Sequence, residues 1–226
     1  MLDGQMPRTP RFAPADLVHH VTHRGNRRGS VFFDDEDRND YLRWLAKAAD
    51  RYGLEVWDYC LMTNHVHLLV RSPTAAALGR AIGVVHGRYA QRINRRQNWS
   101  GHLWANRFFS HPIEGAALPV AARYIERNPV RAKMVERAED YPWSSARTHC
   151  GLAGPGILSP GRPFPDCVAD WSAWLRQSDE PAEARLRDSS HASLPLGSEA
   201  FCKQVGQELG RDLILRPRGR PRLDKT

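Results

Sequence analysis

The sequence predicts an α+β fold built on a split βαβ, ferredoxin-like antiparallel sheet, and three observations carry the prediction. β-rich runs and helical stripes follow one another in the order β-α-β-β-α-β, the two middle β runs are separated only by Thr63-Asn64, and alternation along the third β run leaves one sheet face polar.

Residues 17–23 alternate and are rich in β-formers, and Arg24-Gly25-Asn26 ends them as a turn. Acidic caps at residues 34–38 precede Tyr41, Leu42, Leu45, Ala48 and Ala49, which recur at helical spacing until Gly53. Residues 54–62 and 65–71 then form an antiparallel hairpin across Thr63-Asn64. After Pro73, the stripe Leu78, Ile82, Val85, Tyr89 and Ile93 predicts a second helix to about Arg96, and residues 103–113 read as an aromatic fourth strand. Pro119 suits the first turn of a third helix, with Leu118, Ala121, Ala122 and Ile125 as its apolar stripe and Asn128-Pro129 as its stop. This helix is expected to cover the open sheet face, with Tyr124 and Asn128 at its rim.

The organisation expected is one main domain over residues 1–150, a Pro/Gly-rich linker over 151–197 with one short helix at 171–175, and a helical, basic extension over 198–226. Ser198 caps the last helix, Phe201, Val205 and Leu209 are its apolar positions, and Gly210 stops it. No internal repeat is present.

At 226 residues the chain is long enough to bury a substantial core. Lys and Arg number 33 against 25 acids, a net +8, and the excess is concentrated in two places. Residues 86–107 hold Arg88, Arg92, Arg95, Arg96 and Arg107 with no acid, interleaved with aromatic Trp99 and Trp104 and followed by Phe108. The C-terminal residues 211–226 carry six cations, including Arg218, Arg220 and Arg222, against two acids. Clustered arginine beside stackable rings suits a nucleic acid, although a solvated basic surface gives the same charge pattern. Arg218-Gly219-Arg220-Pro221 resembles an AT-hook, whose arginines enter a narrow minor groove; a basic tail binding phosphates without sequence preference reads the same way. Cys60, Cys150, Cys167 and Cys202 lack the close spacing of zinc or redox motifs and are expected to be reduced. With no long apolar run and no signal-like N-terminus, no membrane partner is expected, and the expected compartment is the cytoplasm.

Two constellations carry chemistry. In Asn64-His65-Val66-His67-Leu68-Leu69-Val70, alternation projects His65 and His67 from one face and Val66, Leu68 and Val70 from the other. Histidines in a sheet are often merely packed, but a polar face opposite an apolar one favours a cation site with positions open for water or phosphate. Imidazole ligands by themselves point to zinc as readily as to any other cation. Downstream, Tyr124 and Asn128 lie four residues apart, one helical turn, so a hydroxyl and an amide oxygen share a face. A phenol needs activation to attack near neutral pH, and a cation that polarises a phosphate provides it. Of the other tyrosines, Tyr89 falls in an apolar stripe and reads as core; Tyr141, in Tyr141-Pro142-Trp143-Ser144-Ser145, reads as a packed turn.

Five segments in fixed order extend these motifs: His20-Val21-Thr22-His23-Arg24-Gly25-Asn26; Leu61-Met62-Thr63-Asn64-His65-Val66-His67-Leu68-Leu69-Val70; Gly101-His102-Leu103-Trp104 with Arg107-Phe108; Tyr124-Ile125-Glu126-Arg127-Asn128-Pro129-Val130-Arg131-Ala132; and the Tyr141 segment. Over about residues 15–150 the chain resembles single-tyrosine HUH transposases, specifically the REP-associated tyrosine transposases of bacterial insertion-sequence type. The resemblance implies that His65 and His67 bind Mg2+ or Mn2+ and that Tyr124 attacks single-stranded DNA, leaving a 5′-phosphotyrosine and a free 3′-hydroxyl. It also implies hairpin DNA as partner. Asn128 stands where relatives often carry Gln as third ligand. Monomer and homodimer both remain open. Two rival functions are a DNA-binding regulator with a decayed active site, which binds hairpins without cutting, and a zinc hydrolase that leaves a free 5′-phosphate and no adduct.

Overall fold

The strands form in the expected order and pair into one antiparallel sheet, β2-β3-β1-β4, from β1 (Val18–Arg24), β2 (Glu55–Met62), β3 (His65–Arg71) and β4 (Phe109–Ile113). These coordinates come from a computed structural model that describes residues 16–162, 168, 170–192, 194–210 and 213. With α1 (Asp35–Tyr52) joining β1 to β2 and α2 (Ala75–Gln97) joining β3 to β4, the topology is the split βαβ, ferredoxin-like one.

Local chemistry sets the helix ends. Asp34 accepts from Asp37 N–H and Thr74 from Ala77 N–H, capping α1 and α2, while Gly53 takes the left-handed conformation that closes α1. Both helices cover one sheet face, burying Tyr41, Leu45, Val66, Leu68, Ile82, Val85, Tyr89 and Ile93. Tyr89 is core, its hydroxyl donating to Val31 O at 2.6 Å.

The other face carries β1 residues His20 and Thr22 and β3 residues His65, His67 and Leu69, and α3 (Leu118–Glu126) packs on it through Ala121, Ala122 and Ile125. A register shift between Val56 and Asp58 turns both Trp57 and Asp58 toward this side.

Two expectations need revision, and a third gains a detail. Strand β4 covers only Phe109–Ile113; the preceding residues run irregularly through Asn106 (φ 54°), and Trp104 makes only an isolated bridge to Gly25. Helix α3 ends at Glu126, just before Asn128-Pro129 as expected, and beyond Arg127 a separate short helix, α4 (Asn128–Arg131), begins, because proline is well tolerated in a first turn. The stretch 151–197, read as linker, holds α6 (Trp171–Arg176) and α7 (Glu180–Ala192), which follow the short α5 (Ala146–His149). Trp171, Leu175 and Leu186 of this stretch join the α3 core. Helix α8 (Glu199–Leu209), capped by Ser198 and closed by left-handed Gly210, forms as expected.

The basic run of α2 is partly structural. Fully buried Asp37 accepts from Phe33 N–H (2.9 Å), Arg92 Nη1 (2.9 Å) and Arg96 Nη2 (2.7 Å), and Arg96 also reaches Asp34 at 2.8 Å. Arg92 further pairs with Glu36 and Asp40. Removing a buried partner commonly costs about 3–5 kcal/mol. Because Arg92 and Arg96 keep 21% and 30% of their side-chain surface exposed, water repays part of that loss. Asp37→Ala is therefore expected to lower stability by about 2 kcal/mol, read as a lower urea midpoint at unchanged slope.

Candidate active site

The loop after β1 fixes the hairpin that carries the histidines. Gly25 N–H donates to Asn64 O (2.8 Å), Val31 and Phe32 N–H donate to Thr63 O (2.9 and 3.1 Å), and Asn64 Nδ2 donates to Arg28 O (2.9 Å). A Cβ on Gly25 would lie 2.2 Å from Gly29 O and 2.8 Å from Val31 Cγ1, so only glycine lets the loop close. The turn then holds His65, whose Nδ1 meets Asn64 Oδ1 at 2.6 Å; the Nδ1 of His67 meets His20 Nε2 at 2.9 Å. Both imidazoles line a cavity of about 570 Å³ and have no Nε2 hydrogen bond among the described residues.

Tyr124 enters the same cavity from α3, its ring centroid 5.9 Å from His67 and 6.1 Å from His20. It is more deeply packed than a rim position implies, at 6% exposure, with the Arg131 guanidinium 4.4 Å above its ring. Tyr41, Tyr89 and Tyr141 hydroxyls are each tied to a partner, to His86 Nε2, Val31 O and Leu61 O. The Tyr124 hydroxyl makes no hydrogen bond among the described residues.

Asn128 has a structural duty that spacing did not reveal. Pro129 lacks the N–H that would continue the helix, and Asn128 Nδ2 instead donates to Tyr124 O (2.9 Å) and Ile125 O (3.3 Å). With its nitrogen committed to the backbone, the amide oxygen is the group it has left to offer the cavity it lines. Two imidazole Nε2 atoms and one amide oxygen form a donor set that fits a divalent cation and leaves coordination positions open.

Burial keeps these rings neutral. It lowers His20 to about 3 and His65 to about 4, the latter helped by the charges of Arg24 and Arg131, and holds His67 and His111 well below the ordinary value. Below pH 6.5 the unfolded chain takes up protons that the folded rings refuse, so these groups make stability fall with acid between about pH 6.5 and 4. Buried Asp58, pushed up to about 7 by desolvation, gives the opposite slope over much of this window, but one carboxylate opposes four imidazoles. Urea midpoints measured from pH 7 to pH 4.5 are expected to decline, and His111→Phe is expected to shallow that decline.

The arginines that line the cavity are Arg24, Arg27, Arg28, Arg131 and Arg187. None of the cluster Arg88, Arg92, Arg95 and Arg96 does: α2 packs on the opposite sheet face, where Arg92 and Arg96 are ion-paired and Arg88 and Arg95 are exposed. Arg107 lines a neighbouring recess with Asn26, His102 and Trp104. Arg218, Arg220 and Arg222, and with them the AT-hook reading, lie outside the described residues. Trp104 and Phe108 are buried, Trp104 against His23 at 4.6 Å; exposed Phe109 lines the cavity, and Trp99 pairs with Phe33 at 5.6 Å. The missed arginines had a signal. Arg24 continues the His20, Thr22 face of β1, and Arg131 follows Tyr124 by seven residues, two helical turns.

A second polar cluster lies beyond α3. Asp58, Glu126 and His149 bring ligand-type atoms close enough for a cation. Most of those atoms already have partners: Glu126 accepts from Ser145 (2.6 Å) and Trp171 Nε1 (2.6 Å) and meets His149 Nδ1 at 2.5 Å, and Arg162 lies 3.3 Å from Asp58 Oδ1, while Asp58 Oδ2 has no hydrogen-bond partner among the described residues. These partners hold Glu126 below the usual carboxylate range despite its burial. The cluster anchors α5 and α6 to α3. Cys60, Cys150 and Cys202 are free thiols, and no helix among the described residues is long and apolar enough to cross a membrane.

Comparison with known proteins agrees with this architecture. A protein of Haemophilus influenzae described as a REP-associated tyrosine transposase is 25% identical over 118 residues, 47% of this chain and 67% of its own length. A solved REP-associated tyrosine transposase, bound to a REP hairpin, superposes with a TM-score of 0.54 at 18% identity over 69% of this chain and 92% of that one, which shows a shared fold. The family described as Transposase IS200 like matches residues 15–128, half of the chain and every strand and histidine of the site. The chain belongs to the IS200-like transposase family.

Proposed function

We propose that this transposase is a metal-dependent, single-stranded DNA endonuclease and strand transferase that cuts hairpin-associated DNA through a 5′-phosphotyrosine. One observation carries the reading: Tyr124 has a hydroxyl without a hydrogen-bond partner among the described residues, in the cavity lined by His65, His67 and Asn128. The Tyr124 oxygen attacks phosphorus, an O–P bond forms, the P–O3′ bond breaks, and the electron pair leaves on the 3′-oxygen, which takes a proton. The phenol proton passes to water. Mg2+ or Mn2+ held by His65, His67 and Asn128 would polarise the scissile phosphate. Arg131 orients the phenol through its ring, and Arg24, Arg27, Arg28 and Arg187 supply charge along the strand. Phe109 offers a face to an unpaired base.

The hairpin partner is inferred from the structural relative described with a REP hairpin. Acting on chromosomal DNA would place the protein in the cytoplasm. We extend the functional unit past residue 150, since Arg187 and Ser190 of α7 line the cavity; residues 198–226 are proposed as an accessory DNA-binding segment.

The test is incubation with palindromic oligonucleotides labelled 3′ of the cut, with Mn2+ or Mg2+. A denaturation-resistant protein–DNA adduct is expected. A free 5′-phosphate product without adduct would point to hydrolysis through a metal-bound water, and hairpin binding without cutting would point to a regulator.

A further inference from the structure

We propose that His20 and Ser190 set the tautomer of His67, holding its proton on Nδ1 so that Nε2 presents a lone pair to the cavity. Helix α7 would thereby act as a positioning element of the cation site. The inference deepens the proposed function and rests on His67 being a ligand.

The argument starts from a donor whose direction is settled. Ser190 Oγ lies 2.8 Å from Leu186 O, and a carbonyl only accepts, so the hydroxyl proton is engaged there. Toward every other partner Ser190 Oγ is an acceptor. His20 Nδ1, 3.2 Å away, therefore donates to it. His111 Nε2 lies 3.4 Å from the same oxygen and donates likewise.

A His20 ring with its proton on Nδ1 keeps a lone pair on Nε2 unless it is doubly protonated. Its ring neighbours are His67, His111, Tyr124 and Ser190, with no carboxylate among them to support an imidazolium. His20 Nε2 therefore accepts, and His67 Nδ1, 2.9 Å away, donates. The two rings lie within 11° of coplanar with centroids 5.1 Å apart, the edge-to-edge arrangement an in-plane N–H···N bond requires. His67 is then neutral with Nε2 unprotonated. Cation-binding histidines generally owe their tautomer and orientation to such an outer hydrogen bond. Here the outer partner is another imidazole, itself oriented by α7.

The experiment uses the full-length, metal-free protein labelled with 15N-histidine, in which long-range proton–nitrogen correlations report the tautomer of each ring. His67 is expected with Nδ1 protonated and Nε2 bare. In His20→Phe it should become a mixture, and calorimetric Mn2+ affinity should fall about tenfold to a hundredfold. Ser190→Ala, a milder change, should move both readouts the same way by less. His20→Gln, whose amide oxygen can accept from Nδ1, should restore the His67 pattern and most of the affinity. A wild-type His67 protonated on Nε2 would overturn the proposal, as would an unchanged tautomer and affinity in both His20→Phe and Ser190→Ala. Should the wild-type protein take up no Mn2+, the cation reading fails separately, because the tautomer of metal-free His67 decides the relay by itself.

Discussion

Tyr124→Phe is expected to abolish the covalent adduct and to lower cleavage at least about 10^4-fold, a loss of about 5 kcal/mol or more of transition-state stabilisation. The substitution deletes one oxygen and leaves the ring, so contacts of the ring with His20, His67 and Arg131 persist. That oxygen makes no hydrogen bond among the described residues, so its removal leaves no buried partner unsatisfied and stability should hold within about 0.5 kcal/mol. Tyr89→Phe is the contrasting control. It removes the bond to Val31 O and is expected to cost about 1 kcal/mol of stability while leaving the adduct intact. An undiminished adduct in Tyr124→Phe would dismiss the nucleophile assignment whatever else the variant does.

His67→Ala has the second largest expected effect, a loss of about 10^3-fold in cleavage at saturating DNA, corresponding to about 4 kcal/mol. One of two imidazole donors disappears, and the His20 Nε2 it faced is left inside the protein. DNA binding should survive, because the charge along the cavity comes from Arg24, Arg27, Arg28 and Arg187, none of which hydrogen-bonds to His67. Single-turnover cleavage alongside hairpin binding at several salt concentrations separates the two contributions. Retained binding with an unchanged salt slope and lost cleavage is expected; equal loss of both would mean that His67 organises the surface instead of the reaction.

Much of the site was legible because its signals are short-range. Strand alternation places His65 and His67 on one face, the two-residue turn fixes their hairpin, and Asp34, Gly53, Thr74, Ser198 and Gly210 mark helix ends through contacts spanning a few residues. What the sequence left unread was long-range pairing. The basic run at residues 86–107 looked like one DNA surface, yet Asp34, Glu36, Asp37 and Asp40, more than fifty positions upstream, neutralise Arg92 and Arg96. Composition made 151–197 a linker, since α7 shows weak amphipathicity and its role appears only when Leu186 meets the α3 core.

By itself the sequence determined the element order, the antiparallel hairpin, the polar sheet face and the membership of His65, His67, Tyr124 and Asn128 in one ordered motif set. Only the tertiary structure decided which arginines reach the cavity, that Asn128 turns its nitrogen to the backbone, and that His20 and Ser190 stand behind His67. The reason is physical: periodicity and turn chemistry act through neighbours along the chain, whereas charge pairing and hydrogen-bond direction depend on which distant groups the packed sheet and helices bring within about 3 Å.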